Sequence, residues 1–245
     1  MLRDYQVRAV AELRRRYTER PILVMATGAG KTVVCEAIAR GAVERGKRVL
    51  IGAHTRNIVQ QTARRFRAAG LPCEVEMAES SGSGPCVVAS IQTMASRGAP
   101  PHDILIIDEA HHANAATWAT LVRAAPIVIG LTATPQRLDG QGLGDVGFGC
   151  IIEPVTADQL ADAGWLVRPK VWCPPGVDIK ALRKRAGEFT AESAAESMKL
   201  LFGSITEHWH RHAEGRRTIA FCPTVDYAHE LARQFGSCAV AVSGS

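Results

Sequence analysis

Long apolar runs are missing from this sequence. No stretch approaches the ~20 consecutive apolar residues that a membrane-spanning helix needs, so we expect no membrane span. The N-terminal segment MLRDYQVRAVAELRRRY is charged throughout and lacks the apolar core of a secretion signal. These two absences predict a cytoplasmic protein.

Paired cysteines are also missing. The seven cysteines are odd in number, widely scattered and include no CxxC pair. We therefore expect reduced thiols that pack as small hydrophobic side chains. Histidines alternate in the stretch HWHRH, but on a helix only His208 and His212 would share a face, so a zinc site is not expected.

The size and composition that remain describe an ordinary globular chain. Its 245 residues suffice for one or two domains of about 100 to 200 residues each. Hydrophobic residues make up 47% and charged residues 22%, a balance typical of soluble proteins. The net charge of +5 favours an anionic partner without identifying one.

Short apolar runs alternate along the chain with segments of helical periodicity. The helices are predicted at 1–19, 32–45, 55–69, 157–164, 190–213 and 225–235, and the strands at 22–25, 48–53, 86–89, 104–107, 127–131, 218–222 and 238–242. Buried strands that alternate with helices predict an α/β fold with a parallel sheet covered on both faces. The proline-containing stretch 168–176 is predicted to connect two domains.

The stretch ILVMATGAGKTV combines a strand, a glycine-containing loop and the start of a helix. Gly28 and Gly30 let successive backbone N–H groups point inward, which creates an anion site at the helix N-terminus. Lys31 would reach the outer phosphates of a nucleotide, and the Thr32 hydroxyl would ligate Mg²⁺. The strict pattern GxxxxGK[ST] requires glycine where Met25 stands, so an ordinary glycine-rich turn is the alternative for this motif alone.

Two carboxylates follow the apolar strand of the stretch ILIIDEAH. Parallel sheets bind ligands at the carboxyl ends of their strands, so Asp108 and Glu109 are expected beside the phosphate loop. Asp108 would hold Mg²⁺ directly or through water, and Glu109 would orient or deprotonate the attacking water. Taken alone, the acidic pair is also a common helix-start signal.

Several motifs occur in a fixed order. They are LRDYQ at 2–6, ATGAGKT at 26–32, AHTRNIVQQ at 53–61, SIQTM at 90–94, DEAH at 108–111, LTATPQR at 131–137 and TIAFCPTVDYAHELA at 218–232. With them the chain resembles the ATPase core of a superfamily 2 helicase, of the DEAD/DEAH-box-like kind found in repair, restriction and phage helicases. The missing leading glycine is normal in that family. The resemblance implies a RecA-like P-loop domain, followed by an incomplete second RecA-like domain.

The resemblance also assigns roles to single residues, with ATP and Mg²⁺ as ligands. The nucleotide-binding residues that it implies are Arg3, Tyr5, Gln6, Thr27, Gly28, Ala29, Gly30, Lys31 and Thr32, with Gln6 at the adenine edge. The residues that it implies for coupling ATP state to domain movement are His111, Thr132 and Thr134. The residues that it implies for gripping a nucleic-acid backbone are Thr55, Arg56, Gln60, Ser90, Gln92 and Thr93. Hydroxyls and amides grip phosphate without recognising sequence, so binding should weaken with salt.

The implied organisation is a first domain at 1–167, a linker at 168–189 and the beginning of a second domain at 190–245. DNA is favoured over RNA as the polymer by resemblance. The sequence ends before the motif that normally supplies an arginine from the second domain, so we expect a longer parent or a partner chain and weak turnover by this chain alone. The alternatives are an ATP- and nucleic-acid-binding module with little turnover and an RNA-directed helicase.

Overall fold

The chain forms two compact units, Met1–Arg168 and Pro169–Ser245. The structure is a computed structural model that describes residues 2–112, 116–135, 143–172, 182–185, 188–199 and 202–243. The first unit holds every predicted nucleotide-binding, coupling and nucleic-acid-binding residue.

The first unit is a parallel sheet flanked by helices. Its helices are α1 (Asp4–Arg16), α2 (Lys31–Val43), α3 (Arg56–Ala68), α4 (Ile91–Arg97), α5 (Ala116–Ala124) and α6 (Ala157–Asp162). Its strands are β1 (Pro21–Val24), β2 (Val49–Ala53), β3 (Glu74–Glu76), β4 (Cys86–Ser90), β5 (Ile104–Asp108), β6 (Ile127–Thr132) and β7 (Cys150–Ile152). Within the described residues these seven strands pair in the order β3-β4-β2-β5-β6-β1-β7, all parallel. The predicted α/β class is confirmed.

Helices cover both faces of the sheet, which explains why its strands are apolar throughout. Consecutive side chains of a strand point to opposite faces. In β1, Leu23 packs with the buried side chains of α1, α2 and α3, whereas Ile22 and Val24 pack with those of α4 and α5. Both faces of β1 are therefore inside the core.

The carboxyl ends of β1, β5 and β6 lie side by side, because β6 pairs with both of the other strands. The backbone N–H of Met25 donates to the Thr132 carbonyl at 3.1 Å, so the loop after β1 starts beside the end of β6. Asp108 stands opposite Leu131 in the ladder. The sheet order thus brings together three motifs that are far apart in the sequence.

The periodicity of apolar residues in the sequence did not predict the short elements of the first unit. The strands β3 and β7 have three residues each, and α4 has seven, so none is long enough to display a clear pattern. Residues 136–142, which include the last two positions of the motif LTATPQR, lie outside the described residues.

The second unit contains α7 (Ala191–Lys199), α8 (Phe202–Ala213) and α9 (Val225–Phe235). A short antiparallel pair, β8 (Lys184–Arg185) with β9 (Glu188–Phe189), lies within the stretch predicted as a linker. Tyr227 and Leu231 of α9 form its core with Ala195 of α7, and the Tyr227 hydroxyl donates to the Met198 carbonyl at 3.2 Å. In the described parts of both units, no helix is long and apolar enough to cross a membrane.

The strands predicted at 218–222 and 238–242 are wrong. The described residues of these stretches contain no strand, and their large apolar side chains are exposed, Phe221 by 92% and Val242 by 84%. An apolar, β-branched pattern indicates that a segment suits a pleated surface, but a strand forms only where another strand pairs with it. Among the described residues neither stretch has such a partner.

Candidate nucleotide-binding site

The loop between β1 and α2 has the backbone shape of a phosphate site. Gly28 and Gly30 have φ angles of 85° and 86°, a left-handed conformation that glycine adopts without steric cost. Gly30 is the N-cap of α2, so the loop ends at a helix N-terminus, where backbone N–H groups and the helix dipole favour an anion. Lys31 Nζ donates to the Met25 carbonyl at 3.3 Å, which folds its ammonium group back onto the loop.

Two residues of α1 hold this loop from the side. The Tyr5 hydroxyl and Gln6 Nε2 both donate to the Ala29 carbonyl, at 3.0 and 3.1 Å. Gln6 Oε1 accepts from the Arg3 backbone N–H at 3.0 Å. Since a glutamine amide has two hydrogens and two acceptor lone pairs, these bonds leave one of each.

The acidic pair lies at the end of β5. The Glu109 backbone N–H donates to Asp108 Oδ1 at 3.1 Å. Burial, and then the negative charge of Glu109, raise the pKa of the Asp108 carboxyl, while that N–H and Lys31 act in the opposite direction. Glu109 has a φ of 51°, a left-handed conformation that costs a residue with a Cβ free energy.

His111 joins the acidic pair to the end of β6. Its Nδ1 lies 2.9 Å from Thr132 Oγ1 and 3.3 Å from Glu109 Oε2. Thr132 Oγ1 also donates to the Thr134 carbonyl at 2.7 Å and accepts from the Thr134 backbone N–H at 3.1 Å. Because the one hydroxyl hydrogen of Thr132 goes to Thr134, we assign the Nδ1 hydrogen to the histidine, which then donates to Thr132.

The loop between β1 and α2 (residues 25–30, the P-loop) and the acidic pair line one cavity of about 560 Å³. Its lining residues are Arg3, Gln6, Thr27, Gly28, Gly30, Lys31, Thr32, Val33, Arg65, Asp108 and Glu109. Of the other predicted nucleotide-binding residues, Tyr5 and Ala29 are buried behind this wall, where they hold the loop by the hydrogen bond between them.

Val33 and Arg65 line the cavity although neither is among the predicted site residues, and Arg65 is the charged one of the two. It lies on α3, far along the chain from the P-loop, and is exposed. In the sequence it is one of several arginines on a basic helix, and their spacing does not distinguish the one that reaches the cavity. Only the packing of α3 on the sheet places it there.

The predicted nucleic-acid residues cluster after β2 and β4, which are neighbours in the sheet. Thr55 is the N-cap of α3 and accepts from the Ile58 N–H at 3.3 Å. Gln92 Nε2 donates to the His54 carbonyl at 3.1 Å, and the Ser90 hydroxyl donates to Gln92 Oε1 at 2.7 Å. These contacts tie the ends of the two strands together.

Other residues of this set are not presented freely to solvent. Arg56 is exposed, but its guanidinium makes two hydrogen bonds with the Glu79 carboxylate, at 2.9 and 3.0 Å. Ser90 and Thr93 are buried, with 6% and 7% exposure, and Gln60 is half-buried. Their contact with nucleic acid stays a prediction.

The model of the family described as "Type III restriction enzyme, res subunit" matches residues 1–137, more than half of the chain. The chain belongs to this family. The match covers the P-loop, the acidic pair and the end of β6. It therefore includes every residue that lines the cavity.

Relatives of this res-subunit family member occur in a phage, a yeast and an archaeon. A 51.5 kDa protein of Lactococcus phage (isolate 7-9) is 29% identical over 212 residues, which cover 85% of this chain and 45% of that protein. The putative mitochondrial ATP-dependent helicase irc3 of Schizosaccharomyces pombe is 26% identical over 96% of this chain and 43% of its own length. The DNA 3'-5' translocase XPB2 of Sulfurisphaera tokodaii is 31% identical over 65% of this chain and 37% of its own length. The chain thus spans less than half the length of these curated relatives.

Solved helicase structures share the fold. The Hef helicase domain of Pyrococcus furiosus matches with a TM-score of 0.54 and 26% identity, over 62% of this chain and 37% of that one. The UvsW helicase of bacteriophage T4 matches with a TM-score of 0.52 and 24% identity, over 62% of this chain and 60% of that one. These matches and the family assignment confirm the predicted RecA-like fold and the resemblance to a superfamily 2 helicase.

Proposed function

We propose that this chain carries the nucleotide-binding part of an ATP-dependent DNA helicase or translocase. The observation that carries the proposal is the single cavity shared by the P-loop and the acidic pair. It offers the Lys31 ammonium, the Thr32 hydroxyl and two carboxylates at one edge of a parallel sheet. Such a combination suits a nucleoside triphosphate with its cation.

The residues of this cavity fit a magnesium ion. Thr32 and Asp108 supply oxygen ligands, which Mg²⁺ prefers. The buried position of Asp108 beside Glu109 fits the same role, because a cation would offset the burial and the like charge that raise the pKa of this carboxyl. Bound there, Mg²⁺ would neutralise charge on the phosphates during transfer.

The remaining roles follow from the contacts around the cavity. Lys31 would leave the Met25 carbonyl and pair with the outer phosphates, which the backbone N–H groups of the loop also bind. Glu109 would accept a proton from the attacking water, and His111 would keep its carboxylate in place. Gln6 would use its remaining donor and acceptor for the adenine edge, with Arg3 beside the base.

DNA is the proposed polymer, and its backbone would lie near the ends of β2 and β4. The name of XPB2, a DNA 3'-5' translocase, supports the choice of DNA. Thr55, Gln60 and Gln92 offer polar groups there, and Arg56 would join them by exchanging Glu79 for a phosphate. Binding of this kind is independent of sequence and weakens as salt rises.

Full motor activity would require a second RecA-like domain. We propose the organisation 1–167, 168–189 and 190–245, with the C-terminal helicase domain in a longer parent or a partner chain. The greater length of the curated relatives supports this proposal. An arginine supplied across a nucleotide site contributes about 10³ to 10⁵ in rate, so this chain alone should bind ATP well and hydrolyse it slowly.

ATP turnover with and without single-stranded DNA, duplex DNA and RNA tests the proposal. We expect a slow rate that DNA stimulates, that Lys31→Ala abolishes together with ATP binding, and that Glu109→Gln abolishes while binding persists. No turnover with any polymer, together with ATP-dependent thermal stabilisation that Lys31→Ala removes, would identify a binding module instead. Stimulation by RNA but not by DNA would contradict the choice of polymer.

A further inference from the structure

The segment that follows α6 packs against two residues that line the nucleotide cavity, Arg3 and Gly28. Gly164 adopts a left-handed conformation with a φ of 73°, and the backbone N–H groups of Trp165 and Leu166 donate to the Leu160 carbonyl at 2.8 and 3.1 Å. This arrangement ends the helix and fixes the direction of the chain that leaves it. Arg168 closes the segment by pairing with Asp158 and Asp162 of the same helix. The turn is therefore held at both of its ends.

Trp165 stacks on the arginine at the edge of the cavity. The Arg3 guanidinium carbon lies 3.9 Å from the centre of the indole ring, within the range of a cation–π contact. Arg3 Nη1 donates to the Tyr5 hydroxyl at 3.0 Å, and that hydroxyl donates to the Ala29 carbonyl of the P-loop at 3.0 Å. A continuous chain of contacts thus runs from the indole to the phosphate loop.

The next residue touches the same loop. A Cβ placed on Gly28 would lie 3.0 Å from Leu166 Cδ2, so the leucine side chain packs against the loop at the point where a glycine stands. Val167, which follows it, is 92% exposed. Trp165 and Leu166 therefore each contact a residue that lines the nucleotide cavity, whereas Val167 points to solvent.

We propose that Trp165 is a positioning residue of the nucleobase subsite. The indole fixes the guanidinium plane of Arg3 next to Gln6, so that a base whose edge bonds to Gln6 meets a flat, cationic surface. Trp165 is 50% exposed, so the contact with Arg3 leaves half of its surface open to solvent. Stacking on such planes is tolerant of base identity, so Trp165 strengthens base binding while Gln6 selects adenine. This inference rests on the proposed ATP function.

The test compares ATP with tripolyphosphate, a probe that has the phosphates but neither base nor sugar. Dissociation constants of both, with Mg²⁺, are measured for the full chain and for Trp165→Ala, Trp165→Phe and Val167→Ala. We expect Trp165→Ala to weaken ATP binding roughly three- to thirtyfold, the range of a cation–π contact, and to leave tripolyphosphate binding unchanged. Trp165→Phe should restore most of the ATP affinity, and Val167→Ala should have no effect.

Equal weakening of both probes by Trp165→Ala, or unchanged ATP binding, would overturn the inference. Failure of Trp165→Phe to restore affinity would overturn it as well, since the aromatic face is the feature that the inference requires. Circular dichroism of each variant separates loss of folding from loss of binding, and Trp165→Gln replaces the alanine variant if that one unfolds. ATP binding that is unaffected by Lys31→Ala would instead refute the proposed function, because Lys31 holds phosphate whether or not Trp165 orders the base.

Discussion

His111 Nδ1 lies 2.9 Å from Thr132 Oγ1, and this bond joins the ends of two neighbouring strands, β5 and β6. Thr132 is fully buried, and its hydroxyl also bonds to the backbone of Thr134. Glu109 Oε2 is 3.3 Å from the same histidine nitrogen. A movement of Glu109 as nucleotide binds or leaves would therefore be transmitted through the His111 side chain to the residues after β6.

Thr132→Val tests this connection, since valine keeps the volume and removes the hydroxyl. Loss of a buried hydrogen-bonded group should lower the free energy of unfolding by about 1–2 kcal/mol. Because His111 then orients Glu109 less well, kcat should fall roughly tenfold to a hundredfold. The KM for ATP should stay the same, as Thr132 does not line the cavity.

Thr62→Val is the matched control for the hydroxyl deletion. Thr62 is 6% exposed on α3 and does not line the nucleotide cavity, so this variant should alter stability without altering kcat. Urea unfolding and steady-state ATP hydrolysis measure the two effects separately. An equal loss of kcat in both variants would contradict the coupling role of Thr132.

Most strands and the longer helices of the first unit were predictable because each carries a clear apolar pattern, whereas the nine-residue α5 and the three-residue β3 and β7 were not predicted. The helix from Val225 to Phe235 is another predicted element, with helical periodicity between the N-cap Thr224 and the C-cap Gly236. The same logic failed at 218–222, where a strand pattern has no pairing strand among the described residues. Propensity is local information, whereas a sheet requires a partner from elsewhere in the chain.

The residues of the candidate site also fall into those that the sequence predicted and those that it did not. Lys31 and Asp108 stand in motifs whose residue types and spacing indicate the chemistry directly. Arg65 and Trp165 have no such local signal, because each belongs to an element that lies far away in the sequence, Arg65 in the cavity lining and Trp165 against Arg3. Their positions depend on how α3 and the turn after α6 pack, which periodicity does not determine.

Asp108→Asn should stabilise the protein when Mg²⁺ and nucleotide are absent. The raised pKa means that the folded state disfavours the ionised carboxylate, so ionisation of Asp108 lowers the free energy of unfolding. This loss of stability is present above the raised pKa and disappears as falling pH protonates the group. We expect a higher melting temperature for Asp108→Asn near about pH 8 and a difference that shrinks toward about pH 4. The same variant should lose Mg²⁺-dependent ATP hydrolysis.

Asp103→Asn is a control for which we expect the opposite change in melting temperature. The Arg48 backbone N–H lowers the pKa of Asp103, so its ionised form stabilises the fold above the unfolded pKa, and this contribution is lost as pH falls. At neutral pH Asp103→Asn should therefore lower the melting temperature slightly. Thermal unfolding across the pH range measures both variants, and a lower melting temperature for Asp108→Asn at pH 8 would contradict the assigned burial cost.

Gly30→Ala should lower ATP affinity in addition to the stability that its backbone strain removes. Its φ of 86° penalises any residue with a Cβ, by about 1–2 kcal/mol, and the new methyl group would lie 2.5 Å from Gln6 Nε2. Gly70→Ala isolates the first effect, since Gly70 has a φ of 80° and no atom within 4 Å of the added Cβ. We expect both variants to lose stability but only Gly30→Ala to lose ATP affinity, measured by calorimetric titration. Normal ATP binding by Gly30→Ala would show that the close contact between Gly30 and Gln6 does not shape the nucleotide site.

Arg65→Ala should weaken ATP binding, although no motif includes this residue. Its guanidinium belongs to the cavity lining together with Lys31 and Thr32, where a charge-assisted hydrogen bond to phosphate would contribute roughly tenfold in affinity. Arg64→Ala is the matched control, because Arg64 is the exposed neighbour on α3 and does not line the cavity. Titration at two ionic strengths separates a direct contact from a general charge effect. Equal weakening in the two variants would assign the effect to net charge.

Glu79→Gln should strengthen DNA binding, because Glu79 competes with phosphate for Arg56. The two hydrogen bonds between them join exposed side chains, and such pairs contribute only about 0–1 kcal/mol, so phosphate can displace the carboxylate. We expect Glu79→Gln to tighten single-stranded DNA about two- to fivefold at low salt. Arg56→Ala should weaken it and reduce the slope of log affinity against log salt by about 1.

Glu12→Gln, which removes the same charge from a pair with Arg15 on α1, controls for net charge in fluorescence anisotropy titrations. Tightening by Glu12→Gln equal to that by Glu79→Gln, or an unchanged salt slope in Arg56→Ala, would remove Arg56 from the nucleic-acid surface.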